Sequence, residues 1–414
     1  MTACRTPLHL HTPRRTAGML AALALAAVAA LATGCGGGGG DSASSAGSSA
    51  PPTVTATGYT QGTVTGFGSV VVNGVRFDDS SASVADDDDT KTSASALHLG
   101  MRVEVDHGAV DSSSASAKAV AFRYGSLVLG VVSAVDAKAG TLTVLGQVVD
   151  VSGSTVFDDA LAAGLSAVAV GTVVEVHGLV DSATGHIGAT RIESETGATA
   201  YKLRGTVAAL DSATKTFSIN GTLISYASLA STLVPSTLAN GSSLRVLLAT
   251  AQVNGKWVAQ SLGIKTSTKP ADNTTAQVRG NITAFTSAAS FSVGGLVVDA
   301  STASFPDGSS ALALGVQVEV QGTVTHGVLV ATKVEVESKH RGDDSHALQL
   351  IGAITALDSA TKTFVVRGVT VSRSSATTYV NGVEADLAVG RKVHVKGTLG
   401  STRTQVLASH ISFD

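Results

Sequence analysis

Two cysteines in 414 residues, Cys4 and Cys35, leave nothing from which a disulfide framework could be built. They also leave no thiolate cluster for a structural zinc. Aromatic residues are equally scarce, with ten Phe, five Tyr and one Trp. A surface that stacks bases or sugars needs more of them, gathered on one face. Charged residues make up 14 % of the chain and sum to a net charge of −3. A nucleic-acid binder needs clustered Lys and Arg to displace counterions, so nucleic acid is not an expected partner. The Gly-x-Ser-x-Gly signature of a nucleophile elbow is missing. Gly-x-Gly pieces such as Gly66-Phe67-Gly68 lie in a strand context, without the helix whose N-terminus would cradle a phosphate.

The N-terminus is read first for export. Met1 to Arg15 carries Arg5, Arg14 and Arg15 and no acidic residue, and Ala17 to Ala32 is an almost unbroken apolar run. The run falls short of the ~20 residues needed to span a bilayer. A basic segment, a short apolar segment and small residues beyond it predict a signal peptide over residues 1–34. Leu31-Ala32-Thr33-Gly34-Cys35 resembles the lipobox of bacterial lipoproteins, with Ala32 where the favoured pattern has Leu. The resemblance implies a lipid on Cys35, which becomes the new N-terminus and the membrane anchor. Ordinary cleavage with a free thiol is the alternative. Residues 35–57 then read as a flexible tether, Gly/Ser-rich from Gly36 to Ser49. Removing three Arg and no acid takes the net charge from −3 to −6.

Repetition organises the remainder. The nonapeptide Ala209 to Phe217 recurs unchanged at Ala356 to Phe364. Around it a looser unit opens five times with Gly-x-Val/Ile, at Gly62, Gly130, Gly205, Gly280 and Gly352. A second signature, Gly followed by alternating apolar residues, begins at Gly100, Gly171, Gly241, Gly315 and Gly390. Alternation at period two puts one strand face in a core and the other in water. The outward position holds Glu104, Glu175, Arg245, Glu319 and His394, which reads as a solvent-facing place tolerant of any polar side chain. Asn73-Gly74, Asn220-Gly221 and Gly294-Gly295 supply the positive φ values of tight hairpins.

Each unit therefore has about five strands, with a longer link before the fourth. Short helices are expected in that link at Ala160 to Val168 and Ser310 to Leu314. The expected fold class is all-β: a tandem array of five small OB-like Greek-key barrels after the signal peptide, with a small β-sandwich as the competing fold. The repeats are placed at 58–124, 125–198, 199–274, 275–345 and 346–414. Short polar joints between similar domains predict an elongated string of beads, with contact between neighbours allowed.

The opening Gly62 to Asp78, the Gly-x-x-Val-Glu-Val element and the closing Ala-x-x-Val/Ile element resemble proteobacterial lipoproteins built of tandem domains of unknown function. The resemblance spans nearly all of residues 58–414. It is best in the first repeat and weakest in the third, where Leu244-Arg245-Val246 replaces Val-Glu-Val. It implies an exported OB-like repeat protein and brings no activity with it.

No catalytic residue, cofactor-binding residue or metal-ligand set is read from the sequence. The acidic run Asp86 to Asp89 lacks the alternate ligand spacing and turn glycine of a calcium loop, and is taken as a solvated insertion. Asp78, Asp150 and Asp299 share a position with Ser225 and Ser372, which points to turn capping rather than metal binding. The histidines show no i, i+4 pair and are taken as surface residues. Arg341-Gly342-Asp343 is given no weight. Trp257 with Tyr226 is the single hint of an aromatic ligand face, against the alternative that both are core.

Five copies that share only core and turn residues argue against an active site, which is normally built once. The expectation is a non-enzymatic lipoprotein, anchored through Cys35 in the cell envelope. The outer membrane, at its periplasmic face or at the cell surface, is the expected place. Its repeats would act as a spacer or a multivalent array, with an envelope protein or glycan as partner. Binding of an oligosaccharide or other envelope ligand on an OB-type face is the alternative, and an unrecognised hydrolase comes last.

Overall fold

Paired apolar side chains at every second position build the fourth strand of each repeat and aim it into a core. Val103 and Val105, Val174 and Val176, Leu244 and Val246, Val318 and Val320, and Val393 and Val395 are all essentially inaccessible to water. In the computed structural model, which describes residues 56–264, 270–336, 347–401 and 403–414, these pairs sit inside five small barrels. The signal segment, Cys35, the tether up to residue 55, His340, His346 and Arg341-Gly342-Asp343 lie outside the described residues, while Thr57 at the tether's end is already bonded to the His107 carbonyl.

Barrel 2 shows the common plan. Its strands are Val128–Asp136, Thr141–Val144, Gln147–Asp150, Val173–Val180 and Ile187–Ser194. The first three form an antiparallel meander. The fourth lies antiparallel to both the first and the fifth, and the fifth closes on the third in parallel. The cyclic order 1-2-3-5-4-1 is the OB arrangement. The same five pairings recur in the other barrels, including the third. Closure through the 1–4 and 3–5 pairs excludes the sandwich. The expected helices are single 3-10 turns at Asp159–Leu161, Gly164–Ala167 and Ser309–Ala311.

Hairpin chemistry follows from the turn residues. Asn73-Gly74, Asn220-Gly221 and Gly294-Gly295 each place two successive residues at positive φ, as a twisted two-residue hairpin requires. Leu145-Gly146 and Arg367-Gly368 do the same with a Leu and an Arg, which carry no turn signal, at the first position. The repeated nonapeptide caps the hairpin between the first and second strands. Oδ1 of Asp211 accepts from the backbone N–H of Ala213 and Thr214, and Asp358 does so from Ala360 and Thr361.

The barrels do not form a string; residues Thr53–Asp414 make one compact unit. Barrels 1 and 5 share one hydrophobic cluster, and barrels 2 and 3 share another. Tyr59 of barrel 1 is buried in the core of barrel 4. The first strand of barrel 1, Gly58–Phe67, joins them: its start pairs in parallel with Thr275 to Val278 and its end with Gln349 and Leu350. Barrels 2 and 3 meet through the antiparallel pairs Lys202↔Leu129 and Leu203↔Val128. An OB barrel leaves unpaired backbone where its first strand runs past its partners, and here another barrel covers that edge.

Candidate functional site

Outward positions on the fourth strands are where polar chemistry concentrates. The expectation that they face solvent does not hold, because neighbouring side chains cover them. Glu319 is buried and Glu104, Glu175, Arg245 and His394 are half-buried. In barrel 1, Glu104 stands opposite Arg123, whose guanidinium lies 3.6 Å away and also bonds Asp106 at 2.7 Å. In barrel 4, Glu319 accepts from Arg279 at 2.6 Å and from Gln277 and Gln321 at 2.6 and 2.9 Å. Its cross-strand neighbour Glu335 is paired with Lys333 at 2.8 Å.

Burial alone would raise the Glu319 carboxyl, but the Arg279 charge and the hydrogen bonds from Gln277 and Gln321 outweigh it and hold the group below its ordinary value. A depressed folded-state value means that the group stabilises barrel 4 above the unfolded carboxylate range, near about pH 4.3, and loses this as pH falls through the folded value. Thermal unfolding followed from pH 7 to pH 3 should therefore show a steeper acid-side loss in the wild type than in Glu319→Gln. Equal slopes would exclude the assignment.

Barrel 2 carries the densest group. Glu175 and His177, two apart on the fourth strand, share its outer face, and Glu193 lies directly opposite Glu175 on the fifth. One ligand-type atom from each of Glu175, His177 and Glu193 lies within 4.8 Å of the others. His177 is 1 % exposed; its Nδ1 is 3.2 Å from the Gly125 carbonyl and its Nε2 3.5 Å from Glu193 Oε2. Arg191 Nη2 donates to Glu193 Oε1 at 2.7 Å, while Nη1 donates to the Leu99 carbonyl of barrel 1 at 3.0 Å. Burial opposes ionisation of Glu193, yet the His177 contact and the Arg191 charge bring its carboxyl down to about 2. Glu195, close by, is pushed up by burial and by the charges of Glu175 and Glu193. Sequence reasoning missed this cluster because it scored His177 by helical spacing. The usable signal was strand spacing, Glu-x-His on one face with a Glu on the facing strand.

Trp257 is buried against Tyr201, ring centroids 5.8 Å apart, and Tyr226 against Phe217 at 5.9 Å. Both belong to the core shared by barrels 2 and 3, so neither ring is presented as a ligand shelf. The acidic run is solvated only in part: Asp88 and Asp89 are exposed, but Asp87 is buried and accepts from Lys202 Nζ of barrel 3 at 3.0 Å, and Asp88 pairs with Arg245 of barrel 3. Asp78 and Asp299 cap their turns by accepting from the N–H of Ser80 and Ser301. Asp150 instead meets His186 Nδ1 at 3.1 Å. His107 is no surface residue either; it is buried on Phe77, with Nε2 3.0 Å from Thr60 Oγ1. A cleft of about 280 Å³ lies where Gln147, Gly185 and His186 meet Asn220. Its amides bond one another across the barrel 2–3 junction, Asn220 Nδ2 donating to Gln147 Oε1 and to the Gly185 carbonyl.

No curated protein sequence matches the chain. Among solved structures, drosophila Unr CSD456 is similar at 13 % identity over 53 % of this chain and 99 % of that one, with a TM-score of 0.13, too low to carry an argument. A family model, the domain of unknown function DUF5666, matches residues 61–118, 130–193, 279–335 and 351–412. These are barrels 1, 2, 4 and 5. Barrel 3, whose fourth strand departs furthest from the shared pattern, closes through the same pairings without a match. With more than half its length matched, and with one barrel architecture repeated throughout, the chain belongs to the DUF5666 family.

Proposed function

We propose that the protein is a non-enzymatic envelope lipoprotein, anchored through Cys35, that holds a pre-assembled five-barrel body against the membrane as a binding scaffold. The packing of the barrels carries this reading. A spacer should be extended, whereas here one strand, Gly58–Phe67, pairs with two other barrels. A body of this kind offers a partner a fixed surface drawn from several repeats, so little ordering entropy is lost on binding. The basic and apolar segments ahead of Cys35 and the Gly/Ser tether behind it support export and anchoring. The mildly acidic chain favours a protein or glycan partner over nucleic acid.

Fractionation tests the anchor. The wild-type protein should partition with membranes and incorporate a labelled fatty acid, while Cys35→Ser should lose the label and move to the soluble fraction. A wild-type protein found unlabelled and soluble would end the lipoprotein reading. Crosslinking in intact cells then identifies what the scaffold holds.

A further inference from the structure

The five barrels are internal controls for one another. At the outward position of the fourth strand, the two barrels that pair a carboxylate with a cation do so from a neighbouring strand. Glu104 has Arg123 opposite it, and Glu319 has Arg279. Arg279 comes from the first strand, and its counterpart in barrel 2 is Leu129, which stands opposite Glu175. Lys202, paired beside Leu129 from barrel 3, sends its amine to Asp87 instead. Arg191 is committed to Glu193 and to the Leu99 carbonyl. Among the described residues Glu175 therefore makes no hydrogen bond or ion pair, although a second carboxylate faces it. Like charges directly opposite across strands are destabilising. Barrel 4 tolerates the equivalent pair, Glu319 and Glu335, because Arg279 and Lys333 neutralise it.

His177 supplies the second observation. The Gly125 carbonyl only accepts, so His177 Nδ1 carries the proton and donates to it. That bond sets the ring so that Nε2 faces the carboxylates, and among the described residues Nε2 has no hydrogen-bond partner although the residue is 99 % buried. Its 3.5 Å separation from Glu193 Oε2 is long for a hydrogen bond. It fits the ligand–ligand edge of a tetrahedral site, about 3.4 Å for bonds of about 2.1 Å. An imidazole oriented through its other nitrogen by a backbone carbonyl is the arrangement that metal-ligating histidines adopt.

We propose that Glu175, His177 and Glu193 form a binding site for one divalent transition-metal ion of the zinc class. The ion supplies Glu175 with the positive charge that Arg279 supplies to Glu319 in barrel 4. His177 Nε2 and one oxygen from each glutamate are its ligands, Glu193 using the Oε2 that Arg191 leaves open. The imidazole selects against calcium and magnesium, which prefer all-oxygen sets. The site ties the fourth strand of barrel 2 to the fifth, next to the Arg191–Leu99 contact with barrel 1. It stands apart from the question of membrane anchoring.

Cobalt titration of the purified protein, stripped with EDTA, reads the site directly. One Co2+ per chain should bring visible d–d absorption, and Zn2+ should abolish that absorption by displacement. Glu175→Gln, which removes the charge of a side chain with no other partner among the described residues, should weaken binding at least tenfold while the metal-free protein unfolds at the same temperature or higher, because the facing like charge is relieved. Leu129→Arg copies the cation of barrel 4 without altering any ligand residue, and by pairing with Glu175 should block the site as thoroughly. No absorption from the wild type would overturn the proposal, as would unchanged affinity in both variants.

Discussion

Replacing Lys202 by alanine is expected to cost the junction of barrels 1 and 3 about 3 kcal/mol or more, far above the effect of an ordinary surface lysine. The Lys202 amine lies 3.0 Å from Asp87 and 3.9 Å from Asp88, and the Lys202 and Asp87 side chains are only 12 % and 6 % exposed. An exposed pair would be worth a fraction of this. The penalty arises because Asp87 stays behind as a buried charge, and its second oxygen already lacks a hydrogen-bond partner among the described residues. Removing both charges avoids that penalty. The double variant Lys202→Met/Asp87→Asn should therefore recover most of the loss, and a double-mutant cycle on thermal unfolding measures the coupling. A Lys202→Ala protein within about 0.5 kcal/mol of wild type, the range of ordinary surface changes, would show that the ion pair does not hold the barrels together.

Gly322→Ala should be as damaging, for a different reason. The fourth strand of barrel 4 shifts register between Gln321 and Gly322, and the chain passes against the fifth strand at that point. A Cβ on Gly322 would stand 2.1 Å from the Val330 carbonyl oxygen and 2.8 Å from the Ala331 Cα. Both obstacles are backbone, so the strand pair itself must move. The expected loss is about 3 kcal/mol, at the upper end of overpacking effects. Gly397 meets the same obstacle in barrel 5, with the Leu407 carbonyl oxygen 2.2 Å away, and should respond alike. Gly188 is the control: its added Cβ would make an ordinary 3.7 Å contact, and Gly188→Ala should be nearly neutral. If Gly322→Ala and Gly188→Ala unfold at the same temperature, the close strand approach is not what the glycine serves.

The repeat architecture was legible because it rests on local rules. Val318 and Val320 flank an outward Glu319, and that period of two predicts a half-buried strand whatever lies beyond it. Asn73-Gly74 and Asn220-Gly221 announce hairpins because those residues reach positive φ cheaply. Leu145 and Arg367 adopt the same conformation with no such signal, since the closed barrel imposes the turn on whichever residue stands there. Trp257 and Tyr226 were ambiguous for a related reason. An aromatic on a strand is chemically suited to either a core or a shelf, and only the packing of barrels 2 and 3 places both inside.

The sequence by itself determined the number of repeats, their all-β character, the alternation that fills each core and the hairpins that join the strands. Each follows from interactions within a few residues, or from one pattern recurring. Tertiary structure alone decided that the barrels close through the 1–4 and 3–5 pairs and pack into one body rather than a string. It also decided that Asp87 meets Lys202 from 115 positions away and that Arg191 pairs with Glu193 while, among the described residues, no cation pairs with the facing Glu175. Those outcomes depend on which surfaces of different repeats meet. That choice is made by summed burial and by the pairing of charges distant in the chain, which no local pattern encodes.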